Sequence, residues 1–422
     1  MLGNVSRPKN GLLRGFTTLS AGILLSQLLL VVATPIISRL YSVTQIGEYA
    51  AVVAAATSLA PLLTLGLPRL IVPASSDTEA MYIASRAFRL SIGLSSSLFV
   101  LMLVTTVASE PLSTPSFGSV WLWLPGLVLA QCTFSVLFAV ALRGRQYKLA
   151  AWRPLLQNTV IVATQVGLSL SGRGAHLLVV GETFGRTVGV VLLLRPYFLV
   201  RRSVQKQKVI RSFWRSHGAT IARVWPATTL DVVATSVWVI AAAWWYGDQI
   251  AGYVGMTQRI LAIPVALIGA ALGQAILAEV SHSRRSNESI PSLRALIIGL
   301  TGLAVAVTLI LTFMGPWLFA TVLGADWRPA GEFAQLIAVP AAIGLLWNPL
   351  STLLLALEKW GAMLLIAALR VSVGLGLGSF AYLAGADWFL SLALLVAGGA
   401  TAQILGLYLI ARSVRSLRAQ AH

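Results

Sequence analysis

Twelve apolar runs, each about twenty residues or longer, divide this chain, and their length fixes what it can become. A helix rises about 1.5 Å per residue, so roughly twenty residues match a hydrocarbon core about 30 Å thick. The runs are Gly15 to Ser38, Ile46 to Leu67, Phe88 to Ala108, Val120 to Leu142, Leu149 to Leu170, Ala175 to Leu199, Ala219 to Tyr246, Gln249 to Ala278, Leu293 to Leu323, Phe333 to Leu357, Gly361 to Leu383 and Trp388 to Ile410. The composition demands the same medium. A chain of 422 residues that is 57% hydrophobic and 10% charged carries more apolar surface than one soluble core can hide. The expected fold is an all-α polytopic membrane protein with two six-helix lobes around a central cavity. The first run is too long for a signal-peptide core and lacks a small-residue cleavage site, so it is expected to stay as a helix.

The net charge of +18 is distributed as a topology signal rather than as a nucleic-acid footprint. One side of the twelve-span arrangement collects Arg7, Lys9 and Arg14; Arg69, Arg86 and Arg89; Arg143, Arg145, Lys148 and Arg153; the run from Arg195 to Arg223; Arg284, Arg285 and Arg294; Lys359; and Arg412, Arg415 and Arg418. The other side has only Arg39, Arg173 and Arg328. Both termini are therefore expected in the cytoplasm. The basic segment 201–218 separates a lobe of residues 1–200 from one of residues 219–422, and it reads either as the longest inside loop or as an amphipathic helix on anionic lipid. Trp121, Trp123, Trp244, Trp245, Trp317, Trp327 and Trp388 fall near outward span ends, as an interfacial belt would.

Several functions are excluded by what is missing. A single cysteine, Cys132, rules out a disulfide framework, and four scattered histidines have no metal-binding spacing, so no metal or cofactor site is expected. No GxxxxGK[ST] loop is present for ATP hydrolysis. The outer segments are short and hold only Glu110, Asp326, Arg328 and Glu332, too little for a membrane-surface enzyme.

The informative residues are the charges inside the spans. Arg259 sits within Gln249 to Glu279, on a face shared with Gly252, Met256, Ile263, Ala266, Ala270 and Gly273, and Pro264 should bend the helix just beyond it. A cation at mid-span costs about 2.5–3.5 kcal/mol, so it is held by carbonyls or an acid, or it serves a substrate. Glu182 and Arg186 stand four apart beside the stripe Gly181, Gly185 and Gly189, a spacing that predicts an ion pair with either a structural or a gating role. Asp231 is placed to pair with Arg259 or to bind a proton. Arg370 precedes Gly374, Gly376 and Gly378, a setting that suggests a cavity residue on a flexible helix. Gln45-Ile46-Gly47-Glu48-Tyr49 and Gln249-Ile250-Ala251-Gly252-Tyr253 begin the second and eighth runs 204 positions apart, a trace of duplication into parallel halves.

Three stretches resemble one family. Thr34 to Ala50, with Arg39-Leu40-Tyr41-Ser42 ending the first span, is similar to the opening of bacterial oligosaccharide-lipid flippases of the multidrug/oligosaccharidyl-lipid/polysaccharide exporter superfamily. Gly252 to Gln274, with its Gln-Arg-Ile-Leu and Ile-Pro elements, and Trp327 to Pro340 followed by Pro349-Leu350-Ser351, extend the likeness along the chain. It departs at Gly66 to Pro73, where Arg69 lacks the acid that many relatives carry nearby. The resemblance implies translocation of an undecaprenyl-diphosphate-linked oligosaccharide across the bacterial cytoplasmic membrane by alternating access, beside membrane lipids, a glycan polymerase and a chain-length regulator. Arg259, Arg370 and Arg39 are then the candidate substrate contacts; Asp231, Glu182 and Arg186 are candidates for gating or for coupling to a proton or Na+. The alternative is an ion-coupled multidrug exporter of the same superfamily. Cations outnumber acids within the spans, which favours an anionic substrate.

Overall fold

The computed structural model describes residues 9–109, 119–144, 146–172, 174–203, 213–263, 294–356 and 359–420, all helices and turns with no strand among them. In chain order the helices are α1 (Lys9–Leu40), α2 (Val43–Leu63), the short α3 (Pro68–Ile71), α4 (Asp77–Ser109), α5 (Leu124–Arg143), α6 (Tyr147–Ser169), α7 (Ala175–Ser203), α8 (Phe213–Tyr246), α9 (248–263), α10 (Arg294–Leu323), α11 (Arg328–Leu336), α12 (Ala338–Ala356), α13 (Trp360–Leu383) and α14 (Trp388–Gln420). Every expected apolar run contains helix. The rest of the eighth run beyond Ile263, including Pro264, Ala266, Ala270 and Gly273, lies outside the described residues, as do residues 204–212 of the basic linker. Among the described residues, eight helices are long and apolar enough to cross a membrane, nine if α11 and α12 count as one broken span. α6 misses that threshold because Gln157, Asn158 and Gln165 interrupt its apolar surface, and Gln157 and Gln165 are buried.

Local chemistry sets the boundaries. Ser42 caps α2: its hydroxyl accepts from the Gln45 N–H at 3.3 Å while Gln45 Oε1 accepts from the Ser42 N–H at 3.0 Å. After α2 the chain turns through Leu65 (φ 50°) and Gly66 (φ 64°), left-handed values that cost little only at glycine. The expected tenth run is not one helix. It breaks at Ile337, where α11 and α12 meet at 68°, because Pro340 has no N–H for a helix crossing Ile337 but fits the first turn of a new one.

α1 packs on α6, α6 and α5 on α7, and α2 on α5; later in the chain α13 packs on α8 and α14, and α12 on α14 and α10. α2 against α8 and α1 against α10 join these two sets. Glycine sets the closest crossings. Gly181, Gly185 and Gly189 of α7 lie against Gln165, Ile161 and Gln157 of α6. Beyond Arg370, α13 is continuous, and Gly374 and Gly378 bring it onto Leu395 and Ser391 of α14.

One end of the bundle is tied across these sets. Ser38 Oγ donates to the Leu323 carbonyl at 2.9 Å and Trp327 Nε1 donates to the Ser38 carbonyl at 3.2 Å, while within the later set Thr257 Oγ1 donates to the Ala330 carbonyl at 2.9 Å. Trp327 is 1% exposed, which removes it from the expected interfacial belt; half-buried Trp388 stacks on Tyr253 at 5.9 Å, while Trp244 and Trp317 are exposed. Arg153, counted among the inside charges, is turned inward by α6 to 6% exposure, with its guanidinium over the Phe134 ring and donating to Gln157.

Candidate substrate cavity

Between the tied end and the opposite face, α1, α2, α6 and α7 line one wall of a cavity of about 410 Å³, and α8 and α9 line the other. Tyr49, Thr57, Gln157 and Asn158 face Thr235, Ser236, Gln258 and Arg259 across it, with Glu182 and Arg186 alongside. Helix periodicity produces this display: Gln258 and Arg259 follow the apolar face that α9 buries through Val254 and Met256.

The expected pair Glu182–Arg186 is formed. Arg186 Nε donates to Glu182 Oε1 at 2.7 Å and Nη2 reaches the same oxygen at 2.6 Å, while the Tyr49 hydroxyl donates to Oε2 at 2.9 Å. That carboxylate is 7% exposed, so its two partners are what make its burial tolerable. Asp231 does not pair with Arg259 as expected: its partner is Arg370, whose Nη1 donates to Oδ1 at 2.7 Å. Arg370 is only 7% exposed and lies in α13, 139 positions from Asp231, whose carboxylate is 42% exposed.

Arg259 remains. It lines the cavity half-buried, and among the described residues its guanidinium has no hydrogen bond and no ion pair. The structure does not bring Arg39 to this group. Its Nη1 and Nη2 lie 3.5 Å from the carbonyls of Pro35 and Thr321, on the exposed end of α1, where a cation neutralises helix-end carbonyls.

Two further cavities adjoin the first. One of about 450 Å³ shares Thr57 and holds Arg69, Gln131, Phe134 and Phe138; another of about 250 Å³ shares Thr235, Gln258 and Ala262 and holds Arg370, Asn348 and Gln403. The sequence reading passed over Tyr49, Gln258 and Gln403. For Tyr49 and Gln258 a signal existed, since one closes the repeated Gln-Ile-x-x-Tyr stretch and the other precedes Arg259. Gln403 showed only as a lone amide within an apolar run.

A polar, cationic cavity walled by helices from both ends of the chain is an arrangement of multi-pass membrane transporters. The solved structures agree. Over 96% of its length the chain aligns with a MATE transporter in complex with MaL6 (15% identity, 97% of that chain, TM-score 0.64) and with the lipid II flippase MurJ in an inward closed conformation (13% identity, 90% of that chain, TM-score 0.62). An inward-facing multidrug resistance MATE family transporter of the MOP superfamily aligns at 14% identity over 95% of its chain, with a TM-score of 0.60. At these identities the likeness is one of fold. No curated protein matches the sequence. The family model described as polysaccharide biosynthesis protein matches residues 24–332, and the chain belongs to that family.

Proposed function

We propose that this protein flips an undecaprenyl-diphosphate-linked oligosaccharide across the bacterial cytoplasmic membrane by alternating access, with both termini in the cytoplasm and lobes of residues 1–200 and 219–422 moving about the cavity. The observation that carries the reading is the Arg259 guanidinium, unpaired among the described residues, in a cavity whose other cation, Arg186, is already neutralised by Glu182. A diphosphate leaving water needs fixed, charged donors, and a planar guanidinium offers two parallel N–H groups to phosphate oxygens. Family membership and the fold of a lipid II flippase support a lipid-linked substrate. A multidrug exporter of organic cations would instead want a free carboxylate, and Glu182 and Asp231 are both engaged by arginines. Coupling to a proton or Na+ would fall to these two acids, and the flipped lipid would pass to a glycan polymerase and its chain-length regulator.

Replacing Arg259 tests this. Arg259→Ala is expected to insert and accumulate normally, because it removes a charge from a span, and to abolish glycan export. Arg259→Lys should recover export in part, since the ammonium keeps the charge but not the fork. Export at the wild-type level by Arg259→Ala, at matched membrane abundance, would refute the reading.

A further inference from the structure

The 250 Å³ side cavity walled by α8, α9, α12, α13 and α14 is not needed to hold a diphosphate, yet it is chemically furnished. Gln403 on α14 is 8% exposed, lines this cavity, and has no hydrogen-bond partner among the described residues. Its amide faces the cavity with both its oxygen and its nitrogen uncommitted, so a ligand there can accept from it and donate to it. Arg370 spends Nη1 on Asp231 and keeps its other donors. Asn348 donates Nδ2 to the Gly344 carbonyl at 2.8 Å and Gln258 donates Nε2 to the Thr235 carbonyl, which leaves the oxygen of each side chain to accept. Trp238 completes the wall. Its Nε1 is engaged by the Ala234 carbonyl at 3.2 Å, so what it offers a ligand is carbon surface.

Acceptors for several hydroxyls, two donors and an indole wall around a space of about 250 Å³ are the complement of a sugar. The position identifies which sugar. Gln258 and Ala262 line both this cavity and the central one, and Arg259 is the residue next to Gln258. A group that begins within one helical turn of the phosphate ligand is the one bonded directly to the diphosphate. We infer that this side cavity is a subsite for the first sugar of the lipid-linked substrate, and that it takes a neutral sugar bearing an acetamido group; the inference rests on the diphosphate reading of Arg259. Its carbonyl accepts from Arg370 and the Gln403 amide, while Ala341, Gly344 and Ala400 leave room for the methyl. A carboxylate is disfavoured there, since Asp231 already neutralises Arg370 and a second anion would face that aspartate.

Binding of the full-length protein in nanodiscs to four probes tests the subsite: undecaprenyl diphosphate alone, and the same lipid carrying 2-acetamido-2-deoxyglucose, glucose or glucuronic acid. The acetamido lipid should bind wild type about tenfold tighter than the other three, the scale of one or two net hydrogen bonds. In Gln403→Leu the ratio of affinities for acetamido and sugar-free lipids should fall to near one. Because Gln403 is buried, Gly344→Leu gives a second route: a β-carbon at Gly344 meets only Gln403 Oε1 at 3.8 Å, so the larger side chain fills the cavity without stripping a hydrogen bond, and it should level the same ratio. Equal wild-type affinities for all four probes, or a preference retained by both variants, overturns the subsite while leaving the diphosphate reading intact. Failure of every probe to bind overturns both.

Discussion

Arginines in this cavity differ by what each one faces, and the difference sets what a mutation does. Asp231 is the clearest case. Converting it to asparagine removes the charge that lets Arg370 sit at 7% exposure, so the loss falls on stability as well as on transport. Breaking a fully buried pair costs about 3–5 kcal/mol; with the carboxylate 42% exposed to water, about 2 kcal/mol is the expected loss. Asp231→Asn should therefore lower the melting temperature of the purified protein, and the double variant Asp231→Asn with Arg370→Met should restore most of it, because no stranded cation remains. A double variant no more stable than Asp231→Asn would show that the pair is not what makes Asp231 matter. Glu182 and Arg186 were legible from sequence because their pairing is local, four residues along one helix. Asp231 and Arg370 were not, since nothing within either helix signals a partner 139 positions away. Arg153 shows the converse limit: a charge near a span end says nothing about which way the helix turns it.

At the scale of helices, small residues decide how closely the walls of the cavity approach. The α6–α7 seam holds Tyr49's partner Glu182 on one side and the buried Arg153 on the other, so its spacing positions both. At Gly185 an added β-carbon would overlap Ile161 Cγ1 and stand 2.9 Å from the Ile161 backbone nitrogen. Backbone cannot yield as a side-chain tip can, so Gly185→Ala should cost about 1–3 kcal/mol by overpacking. Thermal unfolding monitored by fluorescence-detected gel filtration should report it, with Gly93→Ala on α4 as the control, because nothing lies within 4 Å of a β-carbon there. Equal melting temperatures for the two would mean the seam yields freely. Apolar periodicity revealed nearly every helix, since a span must present about twenty apolar residues whatever surrounds it. The break at Ile337 escaped it, as hydropathy stays high across both arms of the kink. The stretches that resemble the flippase family divide between two places. Tyr41 and Trp327 lie buried at the tied end, one donating to the Gln165 carbonyl at 2.7 Å and the other to the Ser38 carbonyl, whereas Tyr49, Gln258 and Arg259 of the same stretches line the cavity.

For the whole molecule, the proposed alternating-access cycle would make that tied end its closed half, and two glycines give a handle on it. The first turns of α2 and α9, which carry the two related sequence stretches, cross so closely that a β-carbon on Gly47 would fall inside the Asp248 carbonyl oxygen and one on Gly252 inside the Val43 carbonyl oxygen. Gly255 likewise stands against the Ala50 methyl. These clashes exist only while α2 and α9 are crossed. An alanine at Gly47 therefore penalises the closed arrangement and leaves untouched any state in which the two helices separate, which is the differential that shifts a population. An overpacking cost of about 1–3 kcal/mol moves that equilibrium by roughly fivefold to more than a hundredfold. The reporter is a cysteine at Thr235, inside the cavity, in a Cys132→Ala background, labelled in intact cells by a membrane-impermeant maleimide. Gly47→Ala and Gly252→Ala should each raise labelling from outside, and Gly126→Ala, which has open space around its β-carbon, should not. Labelling that rises only when the reagent is supplied from the cytoplasmic side would keep the gate and invert the proposed orientation. Labelling unchanged in both variants from either side would show that the α2–α9 crossing is not the closure that isolates the cavity.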